Sequence, residues 1–174
     1  RLFTLSNFFG STSPAGINEL SLRGRLVENL AAWEMFKANP LFGVGLGSYA
    51  YLFPEYSKRL GISLVATERH AHNLFLETLA ETGMIGFLVF AALLVWCVYI
   101  LIKARAAFLT CGLKEYAGLS IAYLAGFVGY FSAATLIHNG FPRYFYLILG
   151  LALAVRMVSE NLPSASSSEN VRTM

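Results

Sequence analysis

Two uncharged apolar runs constrain this chain more than anything else in it. Met84 to Ile102 is 19 residues without a charge, and Ala117 to Ile137 is 21 more. At about 1.5 Å rise per residue, each forms a helix roughly 30 Å long, the thickness of a bilayer's hydrocarbon core. A third run, Tyr144–Val155, has 12 uncharged residues. It reaches crossing length when extended to Pro142–Val158, with Pro142 in its first turn and Arg143 and Arg156 snorkelling at opposite ends. Charged residues make up 13% of the 174, about half the 25% of an ordinary soluble domain. Such a composition excludes a disordered chain, and two cysteines are too few for a disulfide-stapled module. The net charge of +3 is thinly spread and points away from nucleic acid. All ten acidic residues are Glu. The absence of Asp removes every Asp-based site, including the paired-Asp metal motifs of many sugar-nucleotide transferases.

The expected class is therefore an all-α membrane protein, with three spans at 84–102, 117–137 and 142–158. The stretch 103–116 holds Lys103, Arg105 and Lys114, whereas the link 138–141 and its flank hold only Arg143. By the positive-inside rule the first loop is cytoplasmic and the link lies outside. Residues 1–83 then form a large outer region, periplasmic in a Gram-negative cell. Residues 159–174, rich in Ser, Glu and Asn, form a disordered cytoplasmic tail. Arg1 is not an initiator, so the chain reads as part of a longer protein. Cys97 in the first span and Cys111 in the loop do not suggest a disulfide or a metal site.

In the outer region, Ser21 to Asn39 has a helical pattern, with Leu26, Leu30, Trp33 and Phe36 on one face, Ser21 as N-cap and Pro40 as its stop. A turn follows, rich in glycine at Gly43, Gly45 and Gly47. It has neither dinucleotide-fingerprint spacing nor a Walker lysine, and reads as a tight turn close to the membrane surface. A second helix is expected from His70 to Thr82, broken at Gly83. In the second span, Ala125, Gly129 and Ala133 form a small-residue stripe suited to close helix packing.

The chemistry-bearing residues cluster on the outer side, which by this topology includes all three histidines. Arg23 and Arg25 offer planar guanidinium forks to an anion; the plainer reading pairs Arg25 with Glu28 at i,i+3 on a wet face. His70 and His72 lack a third ligand at a familiar spacing, so no metal or cofactor is expected. One of these histidines, on the plainer reading, caps the helix that starts there. The sharper one sets His72 at a helix N-terminus, where free N–H groups suit a phosphate and the imidazole suits proton transfer. Asn73, Glu77 and Glu81 share a helical face at four-residue steps and call for a cationic or polar partner, with Arg23, Arg25 and Arg69 as candidates. His138 and Arg143 flank the outer hairpin, either as interfacial anchors or as part of a lipid-phosphate site.

These motifs together resemble a known family. Arg25-Leu-Val-Glu28, Trp33 and Asn39-Pro-Leu-Phe-Gly-Val-Gly-Leu-Gly47, then His72-Asn73 followed after nine residues by Gly83-Met-Ile-Gly86, then His138 with Pro142-Arg143-Tyr144, are similar to the O-antigen ligase / O-antigen polymerase superfamily. The resemblance covers roughly residues 21–158. It implies a polytopic inner-membrane glycosyltransferase of the GT-C type with a large periplasmic loop. Such an enzyme moves a glycan from an undecaprenyl-pyrophosphate carrier to a lipid A core, glycan or protein acceptor, without a metal. The roles of an essential loop Arg and the signature His map onto Arg25 and His72, with Arg23 competing for the first. Arg23, Asn73, Glu77, Glu81, His138 and Arg143 are then the expected substrate-binding residues, with Glu77 or Glu81 as a fallback base. The family's N-terminal spans are not in this sequence. The alternative from another class is a non-catalytic polysaccharide-export or carrier-binding membrane protein.

Overall fold

The computed structural model describes residues 14–61, 69–136 and 142–162, with side chains from residue 24 in the first segment and from residue 144 in the last. The described residues form five helices, α1 (Pro14–Ala38), α2 (Tyr49–Arg59), α3 (Leu74–Thr110), α4 (Lys114–Ala133) and α5 (Pro142–Glu160), and no strand. The all-α expectation holds. Two of the helices, α3 and α4, are long and apolar enough to cross a membrane.

From α3, α4 and α5 comes one core, built on Cys97, Ile100, Leu101, Phe127, Phe131 and Ala152. Phe90 stacks on Phe145 at 5.9 Å between ring centroids, and Phe131 meets the same ring edge-on at 6.0 Å. Outward from this core, Leu88, Val89, Val95, Leu119, Val128 and Leu151 are exposed, the apolar exterior expected of helices solvated by lipid. A second core joins α1, α2 and the start of α3 through Val27, Ala31, Ala32, Met35, Tyr49, Phe53 and Ala80.

Several expectations are corrected. The first helix starts at Pro14, where proline's fixed φ suits a first turn, so Ser21 lies inside it and is not a cap. The face it buries is also different. Val27, Ala31, Ala32 and Met35 point inward, while Leu26, Leu30 and Trp33 are exposed. Small side chains bring α1 close against its neighbours, and that outweighs the larger apolar residues on the other face. The second helix begins at Leu74, not His70, and runs past Lys103 and Arg105 to Thr110, leaving only a tight turn before α4. The stripe Ala125, Gly129 and Ala133 faces outward, because α4 packs through Ala117, Ser120, Phe127 and Phe131. A helix over Tyr49–Arg59 was not foreseen.

The kink in α3 positions the outer region. Gly83 has φ 65° and ψ −168°, outside the helical range. There the amides of Met84 and Ile85 give up their in-helix partners and donate to the carbonyls of Pro40 and Leu41, at 2.8 and 3.3 Å. The carbonyls they abandon, of Ala80 and Glu81, accept from Val44 and Gly45, both at 2.9 Å. The glycine-rich turn thus splices into the break and satisfies all four orphaned groups. The splice demands glycine on both sides. A Cβ on Gly43 would lie 2.3 Å from the Glu81 carbonyl carbon, and one on Gly83 would lie 2.4 Å from that of Leu41.

Candidate active site

The kink leaves the first arm of α3 folded against the bundle. Its first amide, of Leu74, donates to the carbonyl of Ala134 just beyond α4, at 2.9 Å, and Phe75 meets Phe90 edge-on at 5.9 Å. Asn73 is the N-cap: its Oδ1 accepts from Phe75 N at 3.0 Å and from Leu76 N at 3.1 Å. Glu77 N bonds to the Asn73 carbonyl at 3.0 Å. Every amide of this helix start is therefore engaged. Asparagine, not histidine, does the capping, and the expected offer of free N–H groups to a phosphate is overturned.

His72 stands just before this cap and turns towards α1. Its Nδ1 lies 2.5 Å from Oε2 of Glu28, whose side chain is only 2% exposed. The other carboxylate oxygen, Oε1, accepts from Nη1 of Arg69 at 3.3 Å. Arg69 Nη1 lies beside Gly24 of α1, 3.5 Å from where a Cβ would stand, an ordinary contact distance. The backbone carbonyl of Glu28 accepts from the buried hydroxyl of Tyr49 at 2.6 Å. Burial, with the Glu28 and Glu77 carboxylates nearby, pushes the Tyr49 phenol far above its ordinary range, so it stays a donor.

The wet-face pair of Arg25 with Glu28 is therefore corrected. Glu28 points inward because Val27, Ala31 and Ala32 make that face the packed one, and a carboxylate there needs charged partners. Arg69 supplies a cation, and His72 supplies a hydrogen-bond partner through Nδ1. Arg25 is left partly exposed on α1, and among the described residues it has no ion pair.

Asn73, Glu77 and Glu81 do not share one partner. Asn73 caps α3, and Glu77 Oε1 meets His70 Nδ1 at 2.9 Å. Glu81 Oε1 accepts from Tyr49 N, the first amide of α2, at 3.0 Å. His138 and the side chains of Arg23 and Arg143 lie outside the described residues. Of the expected site residues, the structure thus brings His72 into a charged cluster whose other members, Glu28 and Arg69, were assigned lesser parts. Glu28's inward placement was signalled only by its small neighbours Ala31 and Ala32.

Chemically, a carboxylate that accepts from Nδ1–H fixes the tautomer, leaving the Nε2 lone pair as the base and stabilising the imidazolium that forms when it takes a proton. The His72 side chain is 36% exposed, so its ring can meet a substrate. An open apolar cleft of about 400 Å³ runs between α3 and α4, lined by Phe75, Leu94, Val98, Phe127, Phe131 and Thr135 among others; of these Phe75 is three residues along the chain from His72.

The family model of O-antigen ligases matches residues 2–91. That stretch contains α1, α2 and the first part of α3, and with them the whole cluster. No curated protein and no solved structure matches the chain.

Proposed function

The chain belongs to the O-antigen ligase family, and from that premise we propose that it transfers a glycan from an undecaprenyl-pyrophosphate carrier to a hydroxyl acceptor at the periplasmic face of the inner membrane. The acceptor is a lipid A core, a growing glycan or a protein. In this reading α5 is a third span beside α3 and α4, and no metal takes part. The observation that carries it is the Glu28–His72 pair, a buried carboxylate on an accessible imidazole.

In the proposed step the acceptor oxygen forms a bond to the anomeric carbon while the bond from that carbon to the pyrophosphate oxygen breaks. Nε2 of His72 takes the acceptor's proton, and Glu28 stabilises the resulting imidazolium. Pyrophosphate leaves with increasing negative charge, which a guanidinium answers. Arg25 is suited to this, being charged, partly exposed and not consumed by Glu28. Arg23, and Arg143 with His138 at the membrane edge, are proposed to hold the carrier's phosphates. The cleft beside Phe75 suits an apolar polyprenyl chain.

The test is complementation of a null strain by full-length protein carrying His72→Ala or Arg25→Ala. Loss of surface glycan in each, with the protein present at its usual level, is the expected result. Unchanged glycan in both overturns the enzymatic reading and favours a non-catalytic export or carrier-binding role. The same gel separates subtypes: loss of long ladders with single units retained marks a polymerase, and loss of all capped core marks a ligase.

A further inference from the structure

A second charged feature lies at the other end of the bundle, where α3 and α5 leave their apolar stretches. Between them is a groove of about 410 Å³, with Trp96, Tyr99 and Lys103 on the α3 wall and Arg156, Ser159 and Glu160 on the α5 wall. Lys103 directly follows the 19 uncharged residues of α3, and Arg156 directly follows the 12 of α5. Both cations therefore stand where apolar helix surface ends, the depth of the headgroups for helices that cross a bilayer. Each lies over an aromatic ring: Lys103 Nζ is 5.5 Å from the Tyr99 centroid, and Arg156 Cζ is 5.6 Å from that of Trp96.

The charge in the groove is only partly offset: Lys103 and Arg156 face one carboxylate, Glu160, which leaves one net positive charge. Glu160 takes Arg156 Nε at 2.7 Å, a bond that does not use the two terminal guanidinium nitrogens. Among the described residues no carboxylate pairs with Lys103. An anchoring belt on separate helices needs no concavity. Here two helices bring their cations to one hollow whose lining also includes Trp96, Tyr99, Ile100 and Ala104. That shape fits a molecule with an anionic head and an apolar tail.

We propose that this groove binds an anionic phospholipid, with its phosphate between Lys103 and Arg156 and its acyl chain along Trp96 and Ile100. The site rests on the membrane reading of α3 and on the proposal that α5 is a span beside it, and is independent of the glycan-transfer chemistry.

Trp96 provides the probe. Full-length protein keeping Trp96 as its only tryptophan is placed in vesicles, and its fluorescence quenching by brominated-chain phosphatidylglycerol is compared with that by brominated-chain phosphatidylcholine. Phosphatidylglycerol should be enriched at Trp96 by about fivefold, the worth of the one net positive charge. Lys103→Gln with Arg156→Gln should abolish the preference. Lys103→Glu, a single change at an exposed position, should reverse it. Arg105→Gln, at the same end but outside the groove, should leave it intact. Equal quenching by the two lipids overturns the proposal, as does a loss as large in Arg105→Gln as in the double variant. Abolition of the preference by millimolar inorganic phosphate would make this a free-anion site and overturn the lipid assignment.

Discussion

Glu28 and His72, 44 residues apart in sequence, meet through Oε2 and Nδ1 at 2.5 Å, with the carboxylate buried and the imidazole open on its other side. α1 supplies the acid and the residue just before the α3 cap supplies the base, so the pair exists only when α1 has packed against the start of α3.

The pair should behave as one unit. Glu28→Gln keeps the volume but replaces an acceptor with an amide that can donate to Nδ1, which moves the ring proton to Nε2 and removes the base. Transfer should fall by about 10²–10⁴-fold in Glu28→Gln and in His72→Ala. The double variant should be little worse than either single one. Turnover of purified enzyme on a lipid-linked donor measures this; independent, multiplying losses would refute a shared role. His70→Ala is the internal comparison, and should retain most activity, because its partner Glu77 lies on a separate, more exposed pair.

The splice at the kink makes a stability prediction with its own control. Gly43→Ala and Gly83→Ala each force a left-handed backbone on alanine and drive a methyl into backbone of the opposing segment. Both should melt far below the parent. Gly47 also has a positive φ, 72°, but has nothing within 4 Å of its Cβ position. Gly47→Ala should therefore cost only the backbone strain, about 1–2 kcal/mol. Thermal melts in detergent should rank Gly47→Ala well above the other two; equal damage at all three positions would mean the contact across the splice is unimportant.

These cases show which parts of the fold could be read from the chain. The apolar runs announced α3 and α4 because span length is a local property, set by the bilayer and visible residue by residue. The site was legible only in part. His72 and Arg25 stood out by type and by resemblance, but Glu28 looked like an ordinary surface partner, since which face of α1 is buried depends on α2 and α3. The turn at Gly43–Gly47 was recognisable as a turn, while its hydrogen-bonded partners lie about 40 residues away. α2 escaped notice because Pro54 lies inside it; Ser48 at its N-cap makes no side-chain bond, and its start is satisfied by Glu81 from a distant helix.

That distant cap gives Glu81 a structural reading that competes with a place at the substrate. Glu81→Ala leaves the first amide of α2 without its acceptor and should destabilise by about 0.5–2 kcal/mol, the range for a lost helix cap. Glu81→Gln retains an acceptor oxygen and should recover most of that loss along with near-normal transfer. The informative pair of measurements is a melting temperature and a turnover number for each variant. A Glu81→Gln protein that melts normally but no longer transfers glycan would place the carboxylate in the chemistry instead.

Tyr49 links the site to alkaline stability. Its hydroxyl donates to the Glu28 carbonyl in a fully buried setting, and burial raises its folded pKa far above the ordinary phenol value of about 10. The sign follows from linkage. Below about pH 10 the phenol is neutral in both folded and unfolded chains, and its contribution to stability is fully present. As pH rises further, the unfolded chain ionises first, so that contribution shrinks until the folded pKa is passed. Melting temperature in detergent should therefore decline above about pH 10, and Tyr49→Phe should flatten that decline. The same variant should be less stable near neutrality, by about 1–3 kcal/mol, because the buried Glu28 carbonyl loses its donor. If the alkaline limb is as steep in Tyr49→Phe as in the parent, other groups set it, and Tyr49 does not couple the Glu28 backbone to pH.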